Sequence, residues 1–143
     1  MRDFKHSLPM ELMRAREATM AWFRPMLRDH GLTEQQWRVI RALSETNGID
    51  AGELASRSFL LAPSLTRILQ HLESESLINR KQDASDNRKA IVALSAKGRR
   101  LFEKVAPFSE SLYADIEDKF GVDRLEELYT LLADLHETLN NGR

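Results

Sequence analysis

The chain has 143 residues, is 42% hydrophobic and carries a formal net charge of −1. That length fits one domain, or one domain with a helical extension. No apolar run approaches the length of a bilayer-spanning helix, and the opening MRDFKHSLPM lacks a signal-peptide core, so a cytoplasmic address is expected. With no cysteine, disulfides, cysteine-rich zinc sites and thiol redox sensing are excluded. The near-neutral total hides an uneven distribution: residues 62–104 hold nine Lys/Arg against five Asp/Glu, whereas residues 105–143 hold three against nine. A basic middle and an acidic end fit a nucleic-acid face with a solvated far end, although plain surface scatter gives the same counts.

Residues 7–30 read as one long helix whose buried stripe is Leu8, Leu12, Ala15, Thr19, Trp22 or Phe23, and Met26 or Leu27. Pro25 removes one backbone hydrogen bond and predicts a kink or a break. Arg16 lies four residues after Leu12 and four before Met20, on the apolar side. It needs an acidic partner, Glu11 or Glu17, or a rim position; the other reading is an anionic ligand. Gly31 predicts a left-handed stop, and Thr33 with Gln36 a capping box for a helix through about Ser44. Trp37, Val39, Ile40 and Leu43 turn inward; for Trp37 both a core role and an effector platform are open. Ile49 is expected to add a one-residue edge to a sheet, and Asp50 with Glu53 to cap a short helix ending near Arg57.

The stretch SFLLA leads into an amphipathic helix with Leu61, Leu65, Ile68, Leu69 and Leu72 along one stripe and Pro63 in its first turn. Its other face carries Ser64, Thr66, Arg67, Gln70 and His71, with no carboxylate. Such a face can press against base edges and phosphates without repulsion. LINRK and IVALS then read as two short strands joined by a polar loop, Asp83 to Lys89, with an arginine near its tip. Short helix, turn, longer helix and hairpin make the layout of a winged helix-turn-helix. The loop taken alone is also an ordinary polar hairpin end.

Ser95 caps a helix to about Phe120, with Pro107 as an expected kink and Leu101, Val105, Phe108, Leu112, Ile116 and Phe120 as its apolar stripe. Gly121 marks a break, and Asp123 with Glu126 a third capping box. The last helix carries Leu125, Leu128, Leu132, Leu135 and Leu139, a seam of alternating three- and four-residue spacing widened by Leu131. Such a seam predicts packing against another helix, either in a second copy or by folding back on this one. No internal repeat is visible.

PSLTRILQHLE, SLINRK, and Asp86 and Arg88 followed by LSAKG resemble the multiple-antibiotic-resistance regulator (MarR) family, over about Leu8 to the C-terminus. MRAREA, FRPMLRDHGLTEQQWRVIRAL and LAPSLTRIL are similar to its homoprotocatechuate-operon regulator branch. The resemblance implies a mainly α fold with a small β-wing. Residues 33–94 would form a winged helix-turn-helix DNA-binding lobe, and residues 1–32 and 95–143 a helical dimerisation region. It implies that Asp86 buttresses Arg88, which enters the minor groove beside a major groove read by Ser64, Thr66, Arg67, Gln70 and His71. It places an effector where the first, second and post-wing helices meet, with His6, Met10, Arg16, Trp37, Arg38 and Phe108 available on those surfaces.

The expected function is a homodimeric, DNA-binding transcriptional regulator, in the form of a repressor of an aromatic-compound catabolic operon. A small aromatic acid would release it from a pseudopalindromic operator. The alternative is a winged-helix protein-interaction module without a small-molecule effector, which Arg67 and Arg88 occupied by carboxylates would favour. An enzyme has little support: His6, His30, His71 and His136 are scattered without metal-ligand spacing, and no glycine-rich phosphate loop is present. No metal or cofactor is expected.

Overall fold

A computed structural model describes residues 1–86 and 88–142. A short 3₁₀ turn, Phe4–His6, precedes α1 (Leu8–Asp29), α2 (Glu34–Ser44), β1 (Ile49–Asp50), α3 (Ala51–Arg57) and α4 (Ala62–Ser74). The hairpin β2 (Ile78–Gln82) and β3 (Ala90–Leu94) follows, then α5 (Ala96–Phe120) and α6 (Val122–Asn141). The sheet is antiparallel in the order β1-β3-β2, with Ile49 opposite Val92 and the hairpin in register from Ile78–Leu94 to Gln82–Ala90. The expected one-residue edge at Ile49 is thus a two-residue strand.

Local chemistry accounts for most helix ends. Gly31, at φ +72°, lets Leu32 N–H return to the Leu27 carbonyl and Gly31 N–H to that of Arg28, closing α1. The Thr33–Gln36 capping box is complete, with both bonds at 3.1 Å. Asp50 caps α3 by accepting from Glu53 N–H, but the Glu53 side chain pairs with Arg57 at 2.8 Å. Ser95 accepts from Gly98 N–H at 3.0 Å and donates to the Ser76 carbonyl at 2.7 Å, tying α5 to the end of α4. A β-carbon on Gly98 would overlap the Leu77 carbonyl oxygen, so this junction needs a glycine.

Two compact units, residues 1–107 and 108–143, divide at Pro107. In the first, α2 packs on α3, α4 and β3. Val39, Ile40, Leu43, Leu54, Leu65, Leu69, Leu72, Val92 and Val105 fill its core. In the second, Ser109 is buried but α6 buries no residue at all.

Several expectations are corrected. The break offered as one alternative at Pro25 does not occur: Pro25 lies inside α1, as Pro107 lies inside α5, each costing one backbone bond while the helix continues. Of the α1 stripe only Phe23 and Leu27 are buried; Leu8, Leu12, Ala15, Thr19 and Trp22 are exposed, because α2 meets only part of α1. Phe108 is 52% exposed. Leu61 precedes the first turn of α4 and leaves its stripe, which Leu65, Leu69 and Leu72 carry. The third capping box does not form. Gly121, at φ +102°, is itself the cap and α6 starts at Val122, which places Asp123 inside the first turn.

Candidate nucleic-acid interface

The polar face of α4 stands as its helical spacing requires: Thr66, Arg67, Gln70 and His71 are exposed and Ser64 is half-buried. Arg67 has no ion pair or hydrogen bond among the described residues, so its guanidinium keeps all its donors. Thr66 differs, because its hydroxyl donates to the Ala62 carbonyl at 2.9 Å and turns inward for that bond. Arg57, on α3, is paired with Glu53.

The wing tip is held by short-range bonds. Asp83 accepts from the Ser85 backbone and hydroxyl, both at 3.1 Å, and its own N–H donates to the Lys89 carbonyl. Those bonds to Ser85 hold the Asp83 carboxyl below its ordinary pKa. Asp86 Oδ1 accepts from Arg88 N–H at 3.0 Å and from Arg88 Nε at 3.3 Å, while the Arg88 side chain is 93% exposed. The carboxylate thus fixes the base of the arginine and leaves its terminal nitrogens to solvent. Asn87, within the polar loop Asp83 to Lys89, lies outside the described residues. Lys81 and Lys89 are exposed on the same hairpin. Arg80 is half-buried and lies 3.7 Å from Glu73.

The residues named for an effector divide. Arg16 and Arg38 converge on Glu34: Arg16 bonds it directly, and Arg38 Nη2 is 3.3 Å away. Arg24 joins them, bonding Glu34 at 3.3 Å and Glu17 at 2.9 Å. Arg16 also lies 3.6 Å from Glu17, as one of its two expected partners; Glu11 pairs with Arg14 instead. Burial pushes the Glu34 carboxyl up, but hydrogen bonds and charge from Arg16, then Arg24, outweigh it and hold the group below its ordinary value. Trp37 is buried and stacks on Phe102 at 5.7 Å, which satisfies its core role. His6 sits 3.4 Å from Asp3, and Met10 is half-buried, roughly 9 Å along α1 from Arg16. A cleft of about 320 Å³ opens beside Arg24, Leu27, Leu32 and Glu34, and none of the six named residues lines it.

Glu34 and Arg24 were missed by sequence reasoning. The Glu34–Arg38 spacing of four residues was a visible signal. The approach of Arg16 across 18 positions was not. Arg38 also donates to the Ser58 carbonyl at 3.0 Å, which ties this cluster to the end of α3.

A short helix, a turn, a longer helix that exposes Thr66, Arg67, Gln70 and His71, and a β-hairpin with a projecting arginine define a winged helix-turn-helix protein. The model of the MarR family matches residues 32–90. Over 137 residues the chain is 39% identical to the homoprotocatechuate degradative operon repressor of Escherichia coli, spanning 96% of this chain and 92% of that one. The structure of the transcriptional regulator PA4135 is 40% identical with a TM-score of 0.87, covering 92% of this chain and 96% of its own. NadR in complex with 4-hydroxyphenylacetate is 37% identical with a TM-score of 0.81, covering 94% and 96%. The chain belongs to the MarR family, and these relatives are transcriptional regulators, not enzymes. Among the described residues no helix is long and apolar enough to cross a membrane, and no cluster could hold a metal ion.

Proposed function

We propose that the protein is a homodimeric repressor of an aromatic-compound catabolic operon, released from a pseudopalindromic operator by a small aromatic acid. The observation that carries the DNA reading is Arg67, without an ion pair or hydrogen bond among the described residues, on an α4 face whose Ser64, Thr66, Gln70 and His71 carry no charge opposed to DNA, together with an Arg88 held by Asp86. Arg67 reads base edges in the major groove with Ser64, Gln70 and His71, and Arg88 enters the minor groove, where negative potential is enhanced. Two reading heads must reach grooves about one helical turn apart, which requires a second copy. Residues 1–32 and 95–143 supply that contact. The exposed leucines of α6 and the exposed Leu8, Leu12 and Met13 of α1 support this assignment.

The repressor role and the aromatic operon rest on the likeness to the Escherichia coli repressor, and the aromatic acid on that to NadR with its 4-hydroxyphenylacetate. Such a ligand needs an apolar slot with a guanidinium at one end. His6, Met10, Arg16, Trp37 and Arg38 remain the residues proposed for it. Because Glu34 already engages Arg16 and Arg38, a carboxylate ligand must share or displace it. It releases DNA only by favouring a spacing of the two heads that misfits the operator.

The test is binding of labelled duplexes from the DNA flanking the protein's own gene, followed by titration with hydroxylated phenylacetates, benzoates and cinnamates. Arg67→Ala should cost about 1–3 kcal/mol of sequence discrimination. Arg88→Ala should weaken binding and flatten its salt dependence. Parental binding by both variants at every salt concentration overturns the DNA reading, and a DNA complex indifferent to all these acids overturns the effector reading.

A further inference from the structure

The helices leading into the reading head begin with polar caps, Thr33 on α2 and Asp50 on α3. The reading helix α4 does not. Its cap is Leu61, which makes no capping bond and is 77% exposed. A serine, threonine, asparagine or aspartate there would be the more stable choice. Ala62 and Pro63 follow, both exposed, so the leading edge of α4 offers three apolar side chains in succession. Phe59, 78% exposed and held at φ +51°, stands in the turn just before them. Pro63 and Arg67 are four residues apart and so share one face, with the apolar edge ahead of the hydrogen-bonding residues.

Residues at the start of a recognition helix are those that meet base edges. The apolar group that base pairs present in the major groove is the C5-methyl of thymine. We propose that Leu61, backed by Pro63, reads thymine methyl groups at one or two positions of each operator half-site. This rests on the DNA reading above and adds a specificity determinant that forms no hydrogen bond. It divides the face of α4 in two: Arg67 and Gln70 select by donors and acceptors, and Leu61 by contact with a methyl group.

The experiment starts by selecting bound duplexes from a random pool with the full-length protein. Each thymine of the selected half-site is then replaced by deoxyuridine, which removes the methyl and keeps every hydrogen-bonding group. The parent should lose about fourfold in affinity at the one or two contacted positions, the weight of one small apolar group removed from contact. Leu61→Ser, whose hydroxyl is a better cap and whose fold is checked by thermal melting, should bind thymine and uracil duplexes equally. Leu61→Met should keep the preference. A parent indifferent to every uracil substitution, or a Leu61→Ser variant with the parental thymine-to-uracil ratio, overturns the assignment while DNA binding stands. A pool from which no duplex is enriched overturns the DNA reading itself, and this inference with it.

Discussion

Helices α2 and α6 are both amphipathic, and their surroundings differ completely. In eleven residues α2 buries Trp37, Val39, Ile40 and Leu43, while α6 carries seven leucines or tyrosines between Leu125 and Leu139 and buries none. A leucine pattern therefore states that a helix has a partner without stating where the partner is. For α2 the partners are α3, α4 and β3 of the same chain. For α6 the proposed partner is a second copy. A helix left with its apolar seam in water gives up about 25 cal/mol for each Å² it could have buried, so the exposed seam is itself an argument for assembly.

The largest expected effect comes from charging that seam. Leu132→Asp with Leu135→Asp should abolish the dimer, and with it operator binding; a double variant that sediments as a dimer in analytical ultracentrifugation removes the proposed interface. Leu43→Ala sharpens the same comparison from the other side. It should cost about 2–5 kcal/mol of stability in urea unfolding. Its cost should add to the parent at every protein concentration, since Leu43 is buried within one chain.

A smaller effect is expected at the Glu34 hub, where the carboxylate is only 16% exposed but Arg16 and Arg24 are a half and a third exposed. Solvent screening limits the value of such pairs, so Glu34→Gln should cost about 1–2 kcal/mol. The sign of its pH dependence follows from the depressed carboxyl. Its contribution is present above the ordinary glutamate range and is lost as pH falls through the lower folded value. The parent and Glu34→Gln should therefore converge in stability on acidification, and a gap that widens would contradict the hub. The smallest effect on stability belongs to the wing. Asp86→Ala removes a partner from an almost fully exposed Arg88 and should leave the melting temperature nearly unchanged, yet weaken DNA binding. A variant with parental affinity would show that Arg88 needs no buttress.

Much of this was legible because it is local. Gly31, Thr33 with Gln36, Asp50 and Ser95 end or start helices through bonds that close within about five residues, and the short polar loop between LINRK and IVALS folds the two strands into a hairpin. Where two local rules competed, the reading failed. Asp123 and Glu126 had the spacing of a capping box, but Gly121 supplied the stop and put both inside the helix. Leu61 had the spacing of a core stripe, but the chain is still extended there, so its side chain points away from the helix face it was assigned to.

What the order of residues determined by itself is most of the elements and the polar face of α4, since each depends on neighbours a few positions apart; the Asp86–Arg88 pairing was implied by the family resemblance. The tertiary structure decided the rest: that Arg16 reaches Glu34 rather than Glu11, that Arg38 grips the end of α3, and that Leu8, Leu12, Ala15, Thr19 and Trp22 of the α1 stripe are exposed. Periodicity says which side of a helix avoids water. Only the packing of distant segments says which charges meet and which apolar faces are left over.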